Sequence, residues 1–235
     1  MEPAGVYSVR GASMTITAYG LTNFLHILLF AYWLGADLGV FYGARRASRP
    51  GLTYQERIKI RQVVAVVDMA PRTALILMLP VGFQLAAQWN PAISTFALSV
   101  IWISGLVWLA LMWIVHFQVG TPIGEVLRKI DLAIRYVVLL VMAGIGIMSL
   151  MGTGPFAQQW LAVKAFLFAV IIALGLGLRI VAARNPPVME QLRLEQDVPT
   201  AEQRLKENHR AAAALALSLW AVVAIMAFLG NLKPF

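Results

Sequence analysis

The chain contains no cysteine. That removes disulfides, thiolate zinc sites, iron–sulfur clusters and thiol catalysis together. Charge is also scarce. Asp, Glu, Lys and Arg make up 13% of the 235 residues, about half of the ~25% that a soluble domain carries. Residues 1–17 hold no apolar core of the signal-peptide kind, and the first apolar run is too long to be one, so it reads as a retained helix. In place of charge there is apolar surface: 60% of residues are hydrophobic and the mean hydropathy is +0.76. The expected environment is a lipid bilayer. The formal charge of +8 does not point to nucleic acid, because the Lys and Arg residues sit in short links between apolar runs, where orientation signals belong.

Six runs are long enough to span about 30 Å of hydrocarbon: residues 19–43, 64–88, 95–119, 132–152, 160–183 and 211–231. The links alternate in character. Residues 44–63 carry Arg45, Arg46, Arg49, Arg57, Lys59 and Arg61 against Glu56, whereas 89–94 are uncharged. Residues 120–131 carry Arg128 and Lys129, the next link is uncharged, and 184–210 are rich in Arg, Lys and Glu. The positive-inside rule then places both termini outside and the charged links, including segment 184–210, in the cytoplasm. The expected architecture is all-α: one transmembrane domain, a six-helix polytopic bundle built as three hairpins. Trp89 and Trp160 fall at the outer interface as belt aromatics.

Start signals precede the even-numbered spans. Thr53 with Glu56 and Thr200 with Gln203 have capping-box spacing, and Thr121 precedes Pro122, a favoured first helical residue. These spans are expected to begin with a charged helical turn before the apolar run. Pro71 and Pro80 should bend the second span. Asn185-Pro186-Pro187 should end the fifth, with 188–198 as a short surface helix. Glycines at 35, 39 and 43, and at 144, 146, 175 and 177, offer thin faces for helix packing.

Polar groups at membrane depth are the functional candidates, because they are expensive there without a purpose. In the first span Asn23, His26, Phe30, Trp33 and Asp37 share one helical face. His26 and Asp37 are about 16 Å apart along it, so one small site does not hold both. Imidazole is a haem ligand, Phe30 and Trp33 would wall a flat apolar cofactor, and Arg72 or Lys164 would neutralise propionates if their helices meet. Asp37, Asp68 and His116 share a depth toward the charged side. They form an alternative set for a divalent metal or a proton path. Asp68 and Arg72, four apart, also fit an intrahelical ion pair, Lys164 a snorkelling lysine, and His116 a backbone-bonded interfacial histidine.

Phe24-Leu25-His26-Ile27 followed by Tyr32-Trp33-Leu34-Gly35 resembles the first helix of the superfamily of small membrane proteins that includes the HemJ protoporphyrinogen oxidases and the CopD-type copper-resistance proteins. The charged turn around Tyr54, Glu56, Arg57 and Lys59, leading into Asp68-Met69-Ala70-Pro71-Arg72 and Pro80-Val81-Gly82, is similar to the HemJ pattern as well. So is Trp160-Leu161-Ala162-Val163-Lys164. The resemblance implies a helical bundle with haem b, His26 as iron ligand and Lys164 as a functional basic position. The expectation is a haem b-binding redox protein of a bacterial-type cytoplasmic (inner) membrane, an oxidase or an electron-transfer subunit, working with quinone or a redox partner. Alternatives are a transporter or metal- and copper-handling protein, and a non-catalytic subunit of a homo-oligomer or larger membrane complex.

Overall fold

The computed structural model describes residues 17–233, and both chain ends, which the sequence places outside the membrane, lie outside the described residues. Among the described residues the chain forms helices and no strand. They are α1 (Ala18–Ala47), α2 (Tyr54–Val67), α3 (Met69–Ala86), α4 (Thr95–Phe117), α5 (Pro122–Leu150), α6 (Gln159–Ala182), α7 (Asn185–Arg193) and α8 (Val198–Leu232). Counting α2–α3 and α6–α7 as single runs, six helices are long and apolar enough to cross a membrane. The chain is a multi-pass membrane protein.

Local chemistry sets most boundaries. Thr17, Thr53, Ser94 and Thr121 each cap a helix by accepting a hydrogen bond from a first-turn N–H, which otherwise has no partner. At Thr53 the capping box is complete: Glu56 N–H donates to Thr53 Oγ1 at 3.3 Å and Thr53 N–H donates to Glu56 Oε2 at 2.8 Å. The box expected at Thr200 does not form. α8 starts earlier, at Val198, with Pro199 in its first turn and Asp197 in the left-handed conformation before it, so Thr200 is already inside the helix. The second span is interrupted at Asp68. Pro71 explains the break, since it has no N–H to donate to the Val67 carbonyl and its ring crowds that turn. Pro80 stays inside α3 and meets α4 at Gly105, where an added Cβ would lie 3.2 Å from the proline ring.

The spans pack in a circuit: α1 on α3, α3 on α4, α4 on α5, α5 on α6, α6 on α8, and α8 lightly back on α1. α3 and α6 contribute the most buried residues, and their Ile76, Val81, Ile171 and Ile172 are almost wholly enclosed. The expected glycine faces are used unevenly. Gly39 and Gly43 of α1 face Val67 and Val64 of α2, whereas Gly35, Gly144 and Gly175 face open space. The closest approach to the backbone of a neighbouring helix is at Gly146 of α5, where a Cβ would sit 2.6 Å from the Phe166 backbone nitrogen of α6.

At the arginine-rich end a second, smaller core joins α7 and α8 through Val188, Met189, Leu192, Ala201 and Leu205, with Tyr54 and Ile58 of α2 against it. Arg57 holds this end together. Its guanidinium is fully buried, donates to the carbonyls of Ala47, Arg49 and Leu52, and pairs with Glu202 of α8. Glu202 also accepts from Gly51 N–H at 2.9 Å, so the 47–53 link is fastened to α8 from both sides.

Because backbone rather than a flexible side chain opposes Gly146, Gly146→Ala should destabilise the bundle by about 1–3 kcal/mol. Gly144→Ala, in open space two residues away, should be nearly neutral. Thermal unfolding of the two variants in the same detergent checks this.

Candidate functional site

A cavity of about 590 Å³ lies between α1, α3, α6 and α8. That is within the ~300–1,000 Å³ range of cofactor and small-molecule sites. Its wall follows α1 from Tyr19 to Trp33, about 21 Å of helix. It therefore runs from the uncharged-link end of the bundle to the middle of the spans. The face of α1 read from the sequence is the one turned to it: Asn23, His26, Phe30 and Trp33 all line it. The lining is mostly apolar, and Met78, Met142 and Met226 contribute thioethers.

His26 and Lys164 meet here although they are far apart in sequence. The helices that carry them bring both side chains to the same cavity. His26 Nδ1 is shut off from solvent and has no hydrogen-bond partner, a state that costs about 1–3 kcal/mol unless another group answers it. Across from the ring stands Gly82 of α3, whose missing Cβ would lie 3.9 Å from His26 Cε1. Lys164 Nζ lies against Gly230 of α8, where a Cβ would approach to 2.6 Å. Among the described residues Lys164 has no carboxylate partner. Lys233 stands at the mouth, its Nζ 4.0 Å from the centre of the Trp89 ring and 5.9 Å from that of Trp160. The two tryptophans meet edge to face at 6.2 Å. Both belong to the cavity wall, as well as marking an interface.

The remaining candidates are elsewhere. Arg72 does not line the cavity. It pairs with Asp68 one turn back along the chain, the intrahelical ion pair that their spacing allows. Asp37 lies below Trp33 and accepts a 3.0 Å hydrogen bond from Trp220 Nε1 of α8. His116 packs edge-on against Trp113 and Phe117 of its own helix. Among the described residues no three His, Asp or Glu side chains are grouped so as to hold a metal ion, so Asp37, Asp68 and His116 do not assemble into one site.

One buried cluster escaped the sequence reading. Asp131 of α5 accepts from Trp108 Nε1 at 2.9 Å, from Arg135 Nε at 3.1 Å and from Arg179 Nη2 at 2.7 Å. It joins α4, α5 and α6. Asp131 stands at the end of a charged link and Arg179 near the end of an apolar run, positions where a charge draws no notice in the sequence. The four-residue spacing of Asp131 and Arg135, the same as that of Asp68 and Arg72, was the available signal.

Set beside protein-family models, curated proteins and solved structures, the chain matches none of them. The site is therefore read from its own residues.

Removing the carboxylate of Asp131 leaves two arginines facing each other in an apolar setting. Asp131→Ala should destabilise the protein by about 3–5 kcal/mol, the cost of stranding buried charge. The triple change Asp131→Ala, Arg135→Leu, Arg179→Leu should recover much of that loss. Thermal unfolding of the single and triple variants checks both expectations.

Proposed function

We propose that this protein is a haem b-binding membrane redox protein of the HemJ- and CopD-like kind, with His26 as the iron ligand. The observation that carries the reading is the presence of a half-buried imidazole with an unpartnered Nδ1 and a lysine on one apolar cavity of cofactor size. The residues present suit the group. His26 supplies the imidazole, Phe30 and Trp33 supply flat apolar walls, and Lys164 and Lys233 supply positive charge for carboxylates. Gly82 leaves room beside the ring. Haem would bring one-electron chemistry. The protein's part is to orient the macrocycle, to keep water from its apolar faces and to fix its carboxylates with lysines rather than with Arg72. Met78, Met142 and Met226 on the cavity wall can supply a thioether as a further ligand.

The reading extends to the setting: a bacterial-type cytoplasmic membrane, with quinone or a protein redox partner exchanging electrons at the cavity's open end. Asp37 sits one helical turn beyond Trp33 on the same stripe of α1 and is suited to hold a proton on the side away from the mouth. The metal-handling alternative has less support, since among the described residues its three candidate ligands do not gather into one group. We also infer that the spans form three hairpins with both termini outside, on the strength of the alternating link charges.

Protein purified from haem-replete cells should contain haem, assayed as the pyridine complex. His26→Ala should lose nearly all of it while keeping helical content, and Lys164→Gln should keep it with weaker retention on dilution. Haem content unchanged in His26→Ala would refute the ligand assignment. The native chain has no cysteine, so single cysteines report topology directly. In intact cells a membrane-impermeant maleimide should label Ala92→Cys and spare Arg49→Cys; the opposite pattern would reverse the orientation.

A further inference from the structure

The Asp131 cluster carries more positive than negative charge, and its surplus is not used within the protein. Both carboxylate oxygens of Asp131 are occupied: Oδ1 by Trp108, Oδ2 by Arg135 and Arg179 together. One negative charge is thus divided between two guanidiniums. Two arginines therefore face one carboxylate, at the end of the bundle opposite the mouth of the His26 cavity.

The unmet charge has a definite location. The Arg135 side chain is 7% exposed, and its Nη2 is buried with no hydrogen-bond partner. Its guanidinium stands over the Trp108 ring, 5.4 Å from the centre. An aromatic face favours the cation but offers no acceptor lone pair to an in-plane N–H. A buried guanidinium with an idle N–H edge is costly unless an anion meets it. The cluster opens at Arg179, whose side chain is 29% exposed. Planar guanidiniums at a partly open edge match the oxygens of a phosphate group in forked geometry.

We propose that Arg135 and Arg179 form a binding site for a phosphate-bearing anion at the arginine-rich end of the bundle. The group can come from the head of an anionic phospholipid or from a soluble phosphate. The site is separate from the His26 cavity, and none of its residues lines that cavity.

The test uses the full-length protein in an uncharged detergent at ionic strength matched with sodium chloride. The probes are inorganic phosphate, and mixed micelles of phosphatidylglycerol or phosphatidylcholine. At about a hundredfold excess over Kd, the bound anion should raise Tm by about 5–10 °C. A rise with phosphatidylglycerol beyond phosphatidylcholine identifies a lipid head group, and a rise with inorganic phosphate identifies a soluble ligand. In Arg135→Gln and Arg179→Gln the rise should disappear, while in Arg128→Gln, which alters an exposed arginine paired with Glu125, it should persist. If Arg135→Gln does not fold, Arg179→Gln, at the more exposed arginine, decides alone. No rise with either probe in the wild type, or an undiminished rise in Arg179→Gln, would overturn the proposal.

Discussion

A charged or polar side chain inside an apolar bundle persists only where another group answers it, and that constraint organises this protein. Arg57 is answered by three carbonyls and Glu202, Asp68 by Arg72, Asp37 by Trp220 and Asp131 by Trp108 and two arginines. These pairings are what the bundle needs in order to hold polar groups at such depth. The Nη2 edge of Arg135 departs from this pattern on its own, and His26 and Lys164 depart from it together. Both were carried to one apolar cavity, and neither is matched by the described residues around it. The functional reading rests on that contrast, since a structural histidine would be expected to have found a carbonyl.

The two ends of the molecule divide the work. Toward the uncharged links, the tryptophans, Lys233 and the cavity make an entrance that is apolar within and positive at the rim. Toward the arginine-rich links, buried ion pairs fasten helices to one another, and the α7–α8 core caps the bundle. Trp33 lies between, closing the cavity on α1 before Asp37 is reached. The cavity therefore takes up the part of the α1 stripe from Asn23 to Trp33 and leaves Asp37 outside it.

Much of the fold was legible in the sequence. Six apolar runs, the capping residues Thr53 and Thr121, and the disruptive Pro71 are local signals with local causes, and the helices follow them. The face of α1 was legible for the same reason, because helical periodicity puts Asn23, His26, Phe30 and Trp33 on one side whatever they meet. What was not legible depends on neighbouring helices. Arg72 looked like a counter-charge for a cofactor, but its nearest carboxylate is one turn away on its own chain. Asp131 and Arg179 are 48 residues apart, and no pattern in either segment announces the other. Asp37, Asp68 and His116 share a depth but not a place, since depth follows from residue count and convergence from packing. The Thr200 box failed because Asp197 takes a left-handed conformation and lets α8 begin earlier.

The central claim is that the His26 cavity holds haem. The most direct measurement is a visible-range spectrum of the purified wild-type protein, recorded oxidised and after dithionite reduction. The account requires a Soret band that shifts on reduction, with α and β bands of a b-type haem. A colourless protein from haem-replete cells, featureless in both states, would contradict it.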